Sequence, residues 1–515
     1  MRRARRFGLV SAASAALVVA AHATAAQSDY AVMSVDASHP SGTLKPLRGV
    51  SGAPNWSFAK TIAGNQWGPP RPVDVSAGYR SAAINLVRTH DSLGAGDIDP
   101  SAGPLPPLQG PMMGGNSSNN DYLIFPDPAA DPNDPKSYRF GPTDKLIKGI
   151  RAINAEVLFR LGRGAGTTAE PPKDLAKYGE IIRHIVLHYN KGWDQGFTNS
   201  VRYWEVWNEP DLGKIWWRGT HEDYDRLYGA AAKAVKSADP KAWVGGPTIA
   251  LVNQVQPYRE GFLAYARDHR LPLDFFSWHY YSDANDPQDF PRIGREMRGL
   301  LDRYGFRKTA SFLDEWNANE MVGIAAHDAR EAAFVASSII YMQDAPIDRE
   351  LLYRADGAFG ADGKTPSKLG QALVALGRMS GTPVRLTTRG GDLSGLAIEA
   401  GRSRDGKTVQ VLISNYEIPE ADRGPRPGPD VMRVPGLFDL ALPPRRSVSY
   451  ADNRGYDLTI KGLGGKGRYV VERYRMSASD DFELVDSRKA SGPVVHIDGA
   501  LPAPAIELVV VRQDH

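Results

Sequence analysis

Two glutamates each follow a short apolar and aromatic run, and a carboxyl group in that position could do acid–base chemistry. Glu209 ends the run 203–209, and Pro210 cannot donate to a β-ladder, so a strand should stop there. Glu315 ends the run 311–315 in the same way. An apolar surround disfavours an ionised carboxylate, so such a group can hold a proton near neutral pH and give it to a leaving oxygen. Either glutamate alone could equally be a helix cap or one partner of an ion pair.

The segments around these glutamates alternate between strand-like and helix-like patterns from residue 47 to about residue 379. The eight strand candidates are residues 47–52, 84–88, 156–161, 203–209, 243–246, 275–279, 310–314 and 350–353. Eight strands that alternate with helices predict an α/β fold, a closed (β/α)₈ TIM barrel. Glu209 then ends the fourth strand and Glu315 the seventh, and both strand ends face one cleft. Two carboxyl groups about 5–5.5 Å apart in a cleft are the catalytic pair of a retaining glycosidase.

The pattern of the chain changes after residue 380, where glycine and proline turns divide short strand candidates. These candidates are residues 396–400, 409–414, 447–450, 456–460, 467–475 and 505–511. They predict an all-β sandwich domain over residues 381–515, after a catalytic barrel over residues 47–380. The segment 27–46 contains a further strand candidate and could join the sandwich. We interpret the sandwich as a structural accessory rather than a sugar-binding module, and residues 417–430 as an exposed loop.

The first 26 residues have the features of a secretory signal peptide. Four arginines within residues 2–6 precede an apolar stretch over residues 9–21, and small residues follow at 23–26. That stretch is too short to span a bilayer, so a cleaved, secreted or periplasmic protein is expected, with an uncleaved anchor as the alternative. No other segment is apolar enough to cross a membrane, so no membrane partner is expected after cleavage.

The composition of the chain excludes several other classes of protein. Its 515 residues include no cysteine, which rules out disulfides, thiol nucleophiles and zinc–cysteine sites. The formal charge is +3, and without the four arginines of the signal 58 basic residues face 59 acidic ones. A nearly neutral protein gives no electrostatic reason to expect nucleic acid as a partner.

Four short motifs resemble glycoside hydrolase family 39, a family of retaining barrel enzymes. They are Trp207-Asn208-Glu209-Pro210, Asp314-Glu315-Trp316-Asn317, Arg88-Thr89-His90-Asp91 and His279-Tyr280-Tyr281. The resemblance covers about residues 47–379, and the trailing sandwich is also similar. The family contains β-xylosidases, α-L-iduronidases and some exopolysaccharide glycosidases.

The resemblance implies roles for the residues of these motifs. Glu209 would be the catalytic acid/base and Glu315 the nucleophile. Asn208 would hydrogen-bond the sugar 2-hydroxyl, an interaction that strengthens in the transition state. Tyr281 would donate a hydrogen bond to Glu315 and keep that carboxylate ionised.

Two histidines complete the implied site. His90 matches a sugar-contacting histidine of the family, and its alternative is a buried histidine bonded to the backbone. His279 would contact the sugar or the acid/base carboxyl, and its alternative is ordinary aromatic packing at a strand end.

Glu205 has the same strand parity as Glu209 and should therefore lie deeper in the barrel. We expect it to pair with Arg88 or Arg160, because a buried charge needs a partner. The tryptophans beside the two glutamates, expected to be core residues rather than sugar platforms, are Trp204, Trp207 and Trp316.

The eighth strand departs from the pattern of related enzymes, which commonly place a tryptophan below the sugar there. Here Tyr353 could take that position. Arg354 at the same strand end could bind a carboxylated sugar by two hydrogen bonds, or simply pair with Asp356. The departure makes a plain xylosidase one of several candidate activities.

The connection 91–139 is unusually long and rich in glycine, proline, asparagine and aspartate. In a barrel it follows the second strand on the active-site face, so we interpret it as a wall or lid of the cleft. The aspartates between residues 127 and 134 could bind calcium, although their proline-interrupted spacing does not fit an EF-hand loop.

The sequence as a whole predicts a retaining glycosidase that uses no metal ion or other cofactor. Its expected partner is a carbohydrate substrate from plant or bacterial polysaccharide, cleaved most simply in the manner of a β-xylosidase. The alternatives within the family are an exopolysaccharide endoglycosidase, an arabinopyranosidase and a uronic-acid glycosidase. The alternative from another class is a non-catalytic polysaccharide-binding protein.

Overall fold

A computed structural model gives the fold of the chain. It describes residues 30–55, 57–58, 72–90, 123–162, 170–318, 327–353, 355–434, 438–450, 455–464 and 467–514. The predicted signal peptide, residues 91–122 of the predicted cleft loop and Arg354 lie outside the described residues.

Strands and helices are numbered in chain order. The strands are β1 (Tyr30–Thr43), β2 (Gly49–Ser51), β3 (Ser57–Phe58), β4 (Pro72–Val73), β5 (Leu86–Arg88), β6 (Glu156–Leu161), β7 (Tyr203–Val206), β8 (Trp243–Ile249), β9 (Phe275–Ser282), β10 (Ala310–Ala318), β11 (Arg349–Leu352), β12 (Val384–Arg389), β13 (Leu396–Arg402), β14 (Thr408–Asn415), β15 (Val431–Val434), β16 (Phe438–Ala441), β17 (Gly455–Lys461), β18 (Arg468–Ser477), β19 (Glu483–Ser491), β20 (Val494–Ala500) and β21 (Ala505–Gln513). The α-helices are α1 (Ser76–Ser81), α2 (Gly141–Ala152), α3 (Leu175–Lys191), α4 (His221–Ala238), α5 (Phe262–Asp268), α6 (Asp289–Arg303), α7 (Ala329–Met342) and α8 (Lys368–Arg378).

Eight parallel strands close into a barrel, which confirms the predicted fold class. Around the barrel the order is β2, β5, β6, β7, β8, β9, β10 and β11, and β11 pairs again with β2. Every residue of β2, β5 and β7 is buried, because helices cover the outside of the barrel and side chains fill its inside.

An apolar layer inside the barrel supports a charged layer above it. The apolar layer is formed by Leu86, Leu158, Tyr203, Phe275, Phe312 and Leu351. Two residues further along four of these strands come Arg88, Arg160, Glu205 and Asp314, all of them fully buried. Side chains two residues apart on a strand face the same side, so the charged layer lies between the apolar floor and the strand ends.

Capping side chains fix where four of the helices around the barrel begin, namely α3, α4, α7 and α8. At the start of α4, the Thr220 hydroxyl accepts from Asp223 N at 3.2 Å, and the Asp223 carboxylate accepts from Thr220 N at 2.9 Å. At the start of α7, Asp328 accepts from two backbone N–H groups. These helices return the chain to the next strand and leave the carboxyl ends of the strands open. Among the described residues, no helix is both long and apolar enough to cross a membrane.

Part of the predicted cleft loop, residues 123–139, is described. Residues 123–125 are buried in the barrel core. The side chains of Asp127, Asp131 and Asp134 each accept a hydrogen bond from the backbone N–H two residues further on. These aspartates therefore stabilise successive turns of the connection.

Nine of the described strands form a second domain. They make one sheet, which folds back over its own apolar core. Their order is β19, β18, β21, β14, β13, β12, β1, β17 and β20. Tyr456 on β17 donates a hydrogen bond to Glu507 on β21, although four strands lie between them in the sheet. The two halves of the sheet therefore face each other as the layers of a β-sandwich. Because β1 pairs with β12 and β17, the segment 30–43 lies in this sheet.

One strand predicted for this domain is wrong, since no strand is assigned to residues 447–450 in the described part of the chain. The hydroxyl of Tyr450 instead donates to Ser394 O at 2.7 Å and accepts from Ile418 N at 3.0 Å. These side-chain bonds tie the segment to neighbouring loops, so alternation in its sequence does not reflect a β-ladder.

Helices α7 and α8 pack against the sandwich. Ser337 of α7 donates to Gly395 O at 2.8 Å. Leu412, Ile506 and Leu508 belong to the same buried cluster as the barrel core. The interface between the two domains is therefore a continuation of the barrel core.

The buried Glu399 of β13 makes the stability of this interface dependent on pH. Burial raises the pKa of Glu399 to about 7. A carboxyl group whose pKa is raised by folding stabilises the fold at low pH, and that stabilisation is lost as the pH rises through about 7. Glu399→Gln should therefore unfold with a free energy close to that of the wild type near pH 5. Near pH 8 the variant should be more stable, by up to about 3 kcal/mol.

Urea unfolding at the two pH values measures this difference. Glu483→Gln, at an exposed position of β19, serves as the matched control. Parallel pH dependences for the wild type and the Glu399 variant would contradict the expectation.

Candidate active site

The turn after β7 carries Glu209 to the open end of the barrel. Trp207 and Glu209 both have left-handed backbone conformations, with φ of 77° and 43°. Thr248, at the neighbouring strand end, is also left-handed with φ of 60°, and its carbonyl accepts from Glu209 N at 3.0 Å. Left-handed residues other than glycine are strained and cluster at functional sites. The strained turn leaves Glu209 largely buried but open to the cleft.

A bulge in β10 places two successive carboxyl groups inside the barrel. The register with both neighbouring strands shifts after Leu313. In a regular strand Asp314 and Glu315 would point to opposite faces, and a bulge removes that restriction. Both carboxylates consequently reach Arg88, at 3.3 Å for Asp314 and 2.9 Å for Glu315.

The two glutamates predicted to be catalytic lie face to face. A carboxylate oxygen of Glu209 and one of Glu315 lie within 4.8 Å of each other. In a retaining glycosidase the two carboxyl groups lie about 5–5.5 Å apart, whereas an inverting enzyme needs about 6.5–9.5 Å to fit a water molecule. This distance between the two oxygens is closer to the spacing of a retaining pair than to that of an inverting pair.

Arg88 links the predicted nucleophile to the charged layer beneath it. Its Nη1 donates to Glu315 Oε2 at 2.9 Å, its Nη2 to Asn208 Oδ1 at 2.8 Å, and its Nε to Glu205 Oε2 at 2.7 Å. The prediction that Glu205 pairs with an internal arginine is confirmed, and the partner is Arg88. Because Arg88 holds the amide oxygen of Asn208, the amide nitrogen is turned towards Glu209, 3.5 Å away. Asn208 is thus oriented to donate into the cleft.

Glu205 and Asp314 form a coupled carboxyl pair below the site. Burial raises the pKa of Glu205 well above its usual value, and the charge of Asp314 adds to this effect while Arg88 opposes it. Burial acts on Asp314 in the same direction, but Arg88 and a hydrogen bond from Glu205 lower its pKa below the usual value. These opposite directions favour the proton on Glu205 and the negative charge on Asp314.

His279 lies between the two predicted catalytic carboxylates. Its Nδ1 lies 2.8 Å from Glu209 Oε1 and 3.8 Å from Glu315 Oε2. Burial opposes a charged ring, but the carboxylates of Glu315 and Asp314 raise the pKa of His279 well above its usual value. A protonated His279 donates to Glu209, which is one of the two contacts predicted for it.

Tyr281 and Tyr353 line the side of the site next to Glu315. The Tyr281 hydroxyl donates to Glu315 Oε1 at 2.6 Å, which confirms the predicted contact. The Tyr353 ring packs edge-on against that of Tyr281, with centroids 5.9 Å apart. Tyr353 therefore lies beside the site and holds the Tyr281 ring in place.

His90 lies at the end of β5, against a tryptophan that the sequence analysis did not select. Burial lowers the pKa of His90 well below its usual value, and the charges of Arg88 and Arg160 add to this effect, so the ring is neutral. The rings of His90 and Trp216 meet edge-on with centroids 5.8 Å apart. Trp216 is only partly buried, so it offers a ring face on which a sugar can stack.

The tryptophans beside the glutamates have a different place. Trp204, Trp207 and Trp316 are at most 1% exposed, which confirms them as core residues. The signal that could have selected Trp216 is its position, directly after the turn that follows Asn-Glu-Pro.

Within the described residues, Glu209, His279 and Glu315 form the one group of three side chains that could ligate a metal ion. Their donor atoms are already engaged, because His279 bonds Glu209 and Arg88 bonds Glu315. The positive charge of Arg88 also repels a cation at this point. The donor set therefore fits proton transfer and nucleophilic attack better than metal binding.

Removing the Tyr281 hydroxyl should make the nucleophile harder to ionise. In Tyr281→Phe, Glu315 loses a donor at 2.6 Å, so the acidic limb of the kcat/KM profile should move to higher pH. We expect kcat to fall about tenfold, because the lost bond is to a charged group.

Tyr280→Phe is the matched control for this substitution. The Tyr280 hydroxyl donates to Asp289 at 3.0 Å, a buried bond outside the site, so its loss should cost stability without moving the pH profile. Equal shifts of the acidic limb in the two variants would contradict the role given to Tyr281.

Comparison with known proteins agrees with this geometry. A model of the family described as "Glycosyl hydrolases family 39" matches residues 163–348. The crystal structure of a glucosidase from Croceicoccus marinus is 34% identical, with a TM-score of 0.82, over 94% of this chain and 100% of that one. The chain belongs to glycosyl hydrolase family 39. The family predicted from the four motifs is thereby confirmed.

Other relatives match more distantly. A β-xylosidase from Geobacillus stearothermophilus is 27% identical over 231 residues, which cover 39% of this chain and 45% of that protein. The chain therefore matches less than half the length of this relative. A family 39 enzyme from Xanthomonas axonopodis pv. citri is 16% identical, with a TM-score of 0.65, over 94% of this chain and 98% of that one, and shares its fold.

Membership of family 39 confirms the predicted class of protein, a glycoside hydrolase. It also implies that the substrate is a carbohydrate.

Proposed function

We propose that this family 39 member cleaves O-glycosidic bonds by double displacement, with Glu209 as acid/base and Glu315 as nucleophile. The observation that supports this most directly is the approach of the two carboxylates to within 4.8 Å. The surrounding contacts support different roles for the two groups. Glu315 accepts from Arg88 and Tyr281, which favours its ionised form, while Glu209 faces His279 and the amide of Asn208.

In the first step Glu315 attacks the anomeric carbon of the bound sugar. The bond between that carbon and the glycosidic oxygen breaks, and Glu209 gives its proton to the departing oxygen. The product of this step is a sugar bonded covalently to Glu315 and a free alcohol. Arg88 then holds the carboxylate oxygen that has not attacked, since it bonds Oε2 while Tyr281 bonds Oε1.

In the second step water replaces Glu315 on the anomeric carbon. Glu209, now ionised, takes a proton from the water as its oxygen forms the new bond, and Glu315 leaves as a carboxylate. Two displacements at one carbon restore the original configuration, so the sugar is released with retention. His279 holds the Glu209 carboxyl group in place during both proton transfers.

The proposed substrate is a β-linked neutral sugar, with a β-xyloside as the first candidate. The β-xylosidase relatives support this choice, although they match part of the chain only. A glucoside is the second candidate, because the relative that matches over its whole length is described as a glucosidase. The exopolysaccharide, arabinopyranoside and uronic-acid alternatives remain within the same reaction type.

A panel of 4-nitrophenyl glycosides tests the proposed reaction and ranks these substrates. We expect release of nitrophenol from the β-xyloside or the β-glucoside, and first-formed sugar of the β configuration by proton NMR. First-formed sugar of the opposite configuration would contradict double displacement. Binding of xylo-oligosaccharides without cleavage of any member of the panel would favour the alternative, a non-catalytic polysaccharide-binding protein.

We further propose that the protein acts outside the cytoplasm, in the periplasm or the medium. The support is the basic, apolar and small-residue pattern of residues 1–26. N-terminal sequencing of the exported protein should begin near residue 27. Recovery of the intact N-terminus from the cytoplasm alone would contradict export.

A further inference from the structure

The loop between β9 and α6, residues 283–288, follows directly after a residue of the site. Tyr281 and Ser282 end β9, and the loop begins at the next position. Asp286 N donates to the Ser282 hydroxyl at 2.8 Å, and that hydroxyl donates to Asp289 at 2.9 Å. The position of this loop therefore determines where the end of β9, and with it Tyr281, is held.

Three arginines of the second domain bind this loop, and we name Arg426, Arg445 and Arg446 the arginine clamp. Arg446 contacts both carboxylate oxygens of Asp286, through Nε at 2.5 Å and Nη2 at 2.7 Å. Arg426 Nη1 lies 2.5 Å from Asp283 Oδ2, and Arg445 Nε lies 3.7 Å from the same oxygen. A two-point contact between arginine and a carboxylate fixes orientation as well as distance.

The loop is bound to the second domain between these two aspartates as well. The side chain of Asn285 donates to Asp422 at 2.8 Å, and the backbone carbonyl of Asn285 accepts from the Tyr416 hydroxyl at 2.8 Å. Tyr416 is 1% exposed, and Asp286 is 2% exposed. Buried contacts of this kind are costly to break, because they leave a desolvated group without its partner. The segment 416–446 thus holds three of the six loop residues.

We propose that the second domain is part of the catalytic apparatus, and that Arg426 and Arg446 are positioning residues. They hold the loop after β9 and thereby hold the Tyr281 hydroxyl against Glu315. This inference rests on the proposed function, in which Glu315 is the nucleophile. Misplacement of a catalytic group by about 1 Å can cost on the order of 100-fold in rate, so a small movement of β9 is enough to be measured.

The first variant is Arg446→Ala, assayed on the preferred aryl glycoside. We expect kcat to fall about tenfold with little change in KM. The Tyr281 hydroxyl would be held less firmly, and it acts on the reacting carboxylate of Glu315 and not on the binding of the sugar. The acidic limb of the kcat/KM profile should move to higher pH, as in Tyr281→Phe. Arg446→Lys keeps the charge but cannot make both contacts, so its effect on kcat and on the pH profile should be intermediate. This variant can be measured instead if the alanine variant folds poorly.

Arg385→Ala is the matched control. Arg385 of β12 contacts both oxygens of Asp344, at 2.6 and 2.9 Å, and so forms another two-point pair between the two domains. Asp344 lies between α7 and β11, near the amino end of a barrel strand and away from the site. We expect this variant to keep the kcat and the pH profile of the wild type.

Hydrogen exchange separates this proposal from the proposed function. Peptides covering residues 275–288 should exchange faster in Arg446→Ala than in the wild type, and should be unchanged in Arg385→Ala. If the wild type cleaves no aryl glycoside, the proposed function fails, and exchange alone decides whether the arginine clamp holds β9. The inference is overturned if Arg446→Ala has the same kcat, pH profile and hydrogen exchange as the wild type. It is also overturned if these quantities change equally in Arg446→Ala and Arg385→Ala.

Discussion

Replacing Glu315 with alanine should reduce kcat on an activated aryl glycoside by about 10⁴-fold or more, because it removes the carboxylate that forms the covalent intermediate. The substitution also leaves space beside Arg88 and Tyr281, which both face the missing carboxylate. Azide should enter that space and attack the sugar once. The rescued product should therefore be a glycosyl azide of inverted configuration.

Glu350→Gln is the control for this experiment. Glu350 is a buried strand carboxyl group that accepts from Trp316 Nε1 at 2.6 Å and from Gly49 N at 3.0 Å, outside the cleft. Burial raises the pKa of Glu350 to about 7, and its replacement by an amide of similar shape should leave turnover largely intact. Turnover of Glu315→Ala close to that of the wild type would remove Glu315 from the mechanism.

Replacing Glu209 with alanine should have an effect that depends on the leaving group. Without the acid, kcat/KM on a glycoside with a poor leaving group should fall by about 10²–10⁴-fold. A dinitrophenyl glycoside needs little protonation, so its first step should be almost unaffected and the covalent intermediate should accumulate. Azide should then replace water in the second step and give a glycosyl azide of retained configuration.

The two azide products distinguish the two glutamates directly. An inverted azide from the Glu209 variant, or equal losses on good and poor leaving groups, would contradict its role as acid/base.

The barrel could be predicted from the sequence because local pattern and global fold agree there. Apolar and aromatic runs end at proline, glycine or polar residues along the eight strands, and helices α3, α4, α7 and α8 have capping residues at their starts. Strand parity alone placed Glu205 below Glu209 and next to an internal arginine. The same parity could not place Glu315 on the inner face beside Asp314, because the bulge after Leu313 breaks the alternation on which parity depends.

The sandwich was less predictable because its outer strands lack an apolar signal. Strand β19 is polar and mostly exposed, and it pairs with β18 through backbone bonds that any side chain permits. Residues 447–450 led to the opposite error, a strand that was predicted but is not observed. They alternate like a strand, but side-chain hydrogen bonds hold the segment.

The arginine clamp could not be predicted from the sequence, for a physical reason. Residues 417–430 are rich in charge, glycine and proline, and such a composition usually indicates a solvated loop. Arg426 and Arg446 are instead bound to aspartates 143 and 160 positions away along the chain. Pairing over that separation depends on the packing of two domains, and no local pattern records it.

The central claim, that Glu315 is the nucleophile of a retaining mechanism, is tested most directly by trapping the intermediate. The wild-type protein is incubated with the 2-deoxy-2-fluoro, dinitrophenyl form of its preferred glycoside, and the digested protein is analysed by mass spectrometry. We expect one fluorosugar per chain, attached to the peptide that contains Glu315. Attachment to Glu209, or steady turnover of the probe to an inverted sugar with no adduct, would contradict it.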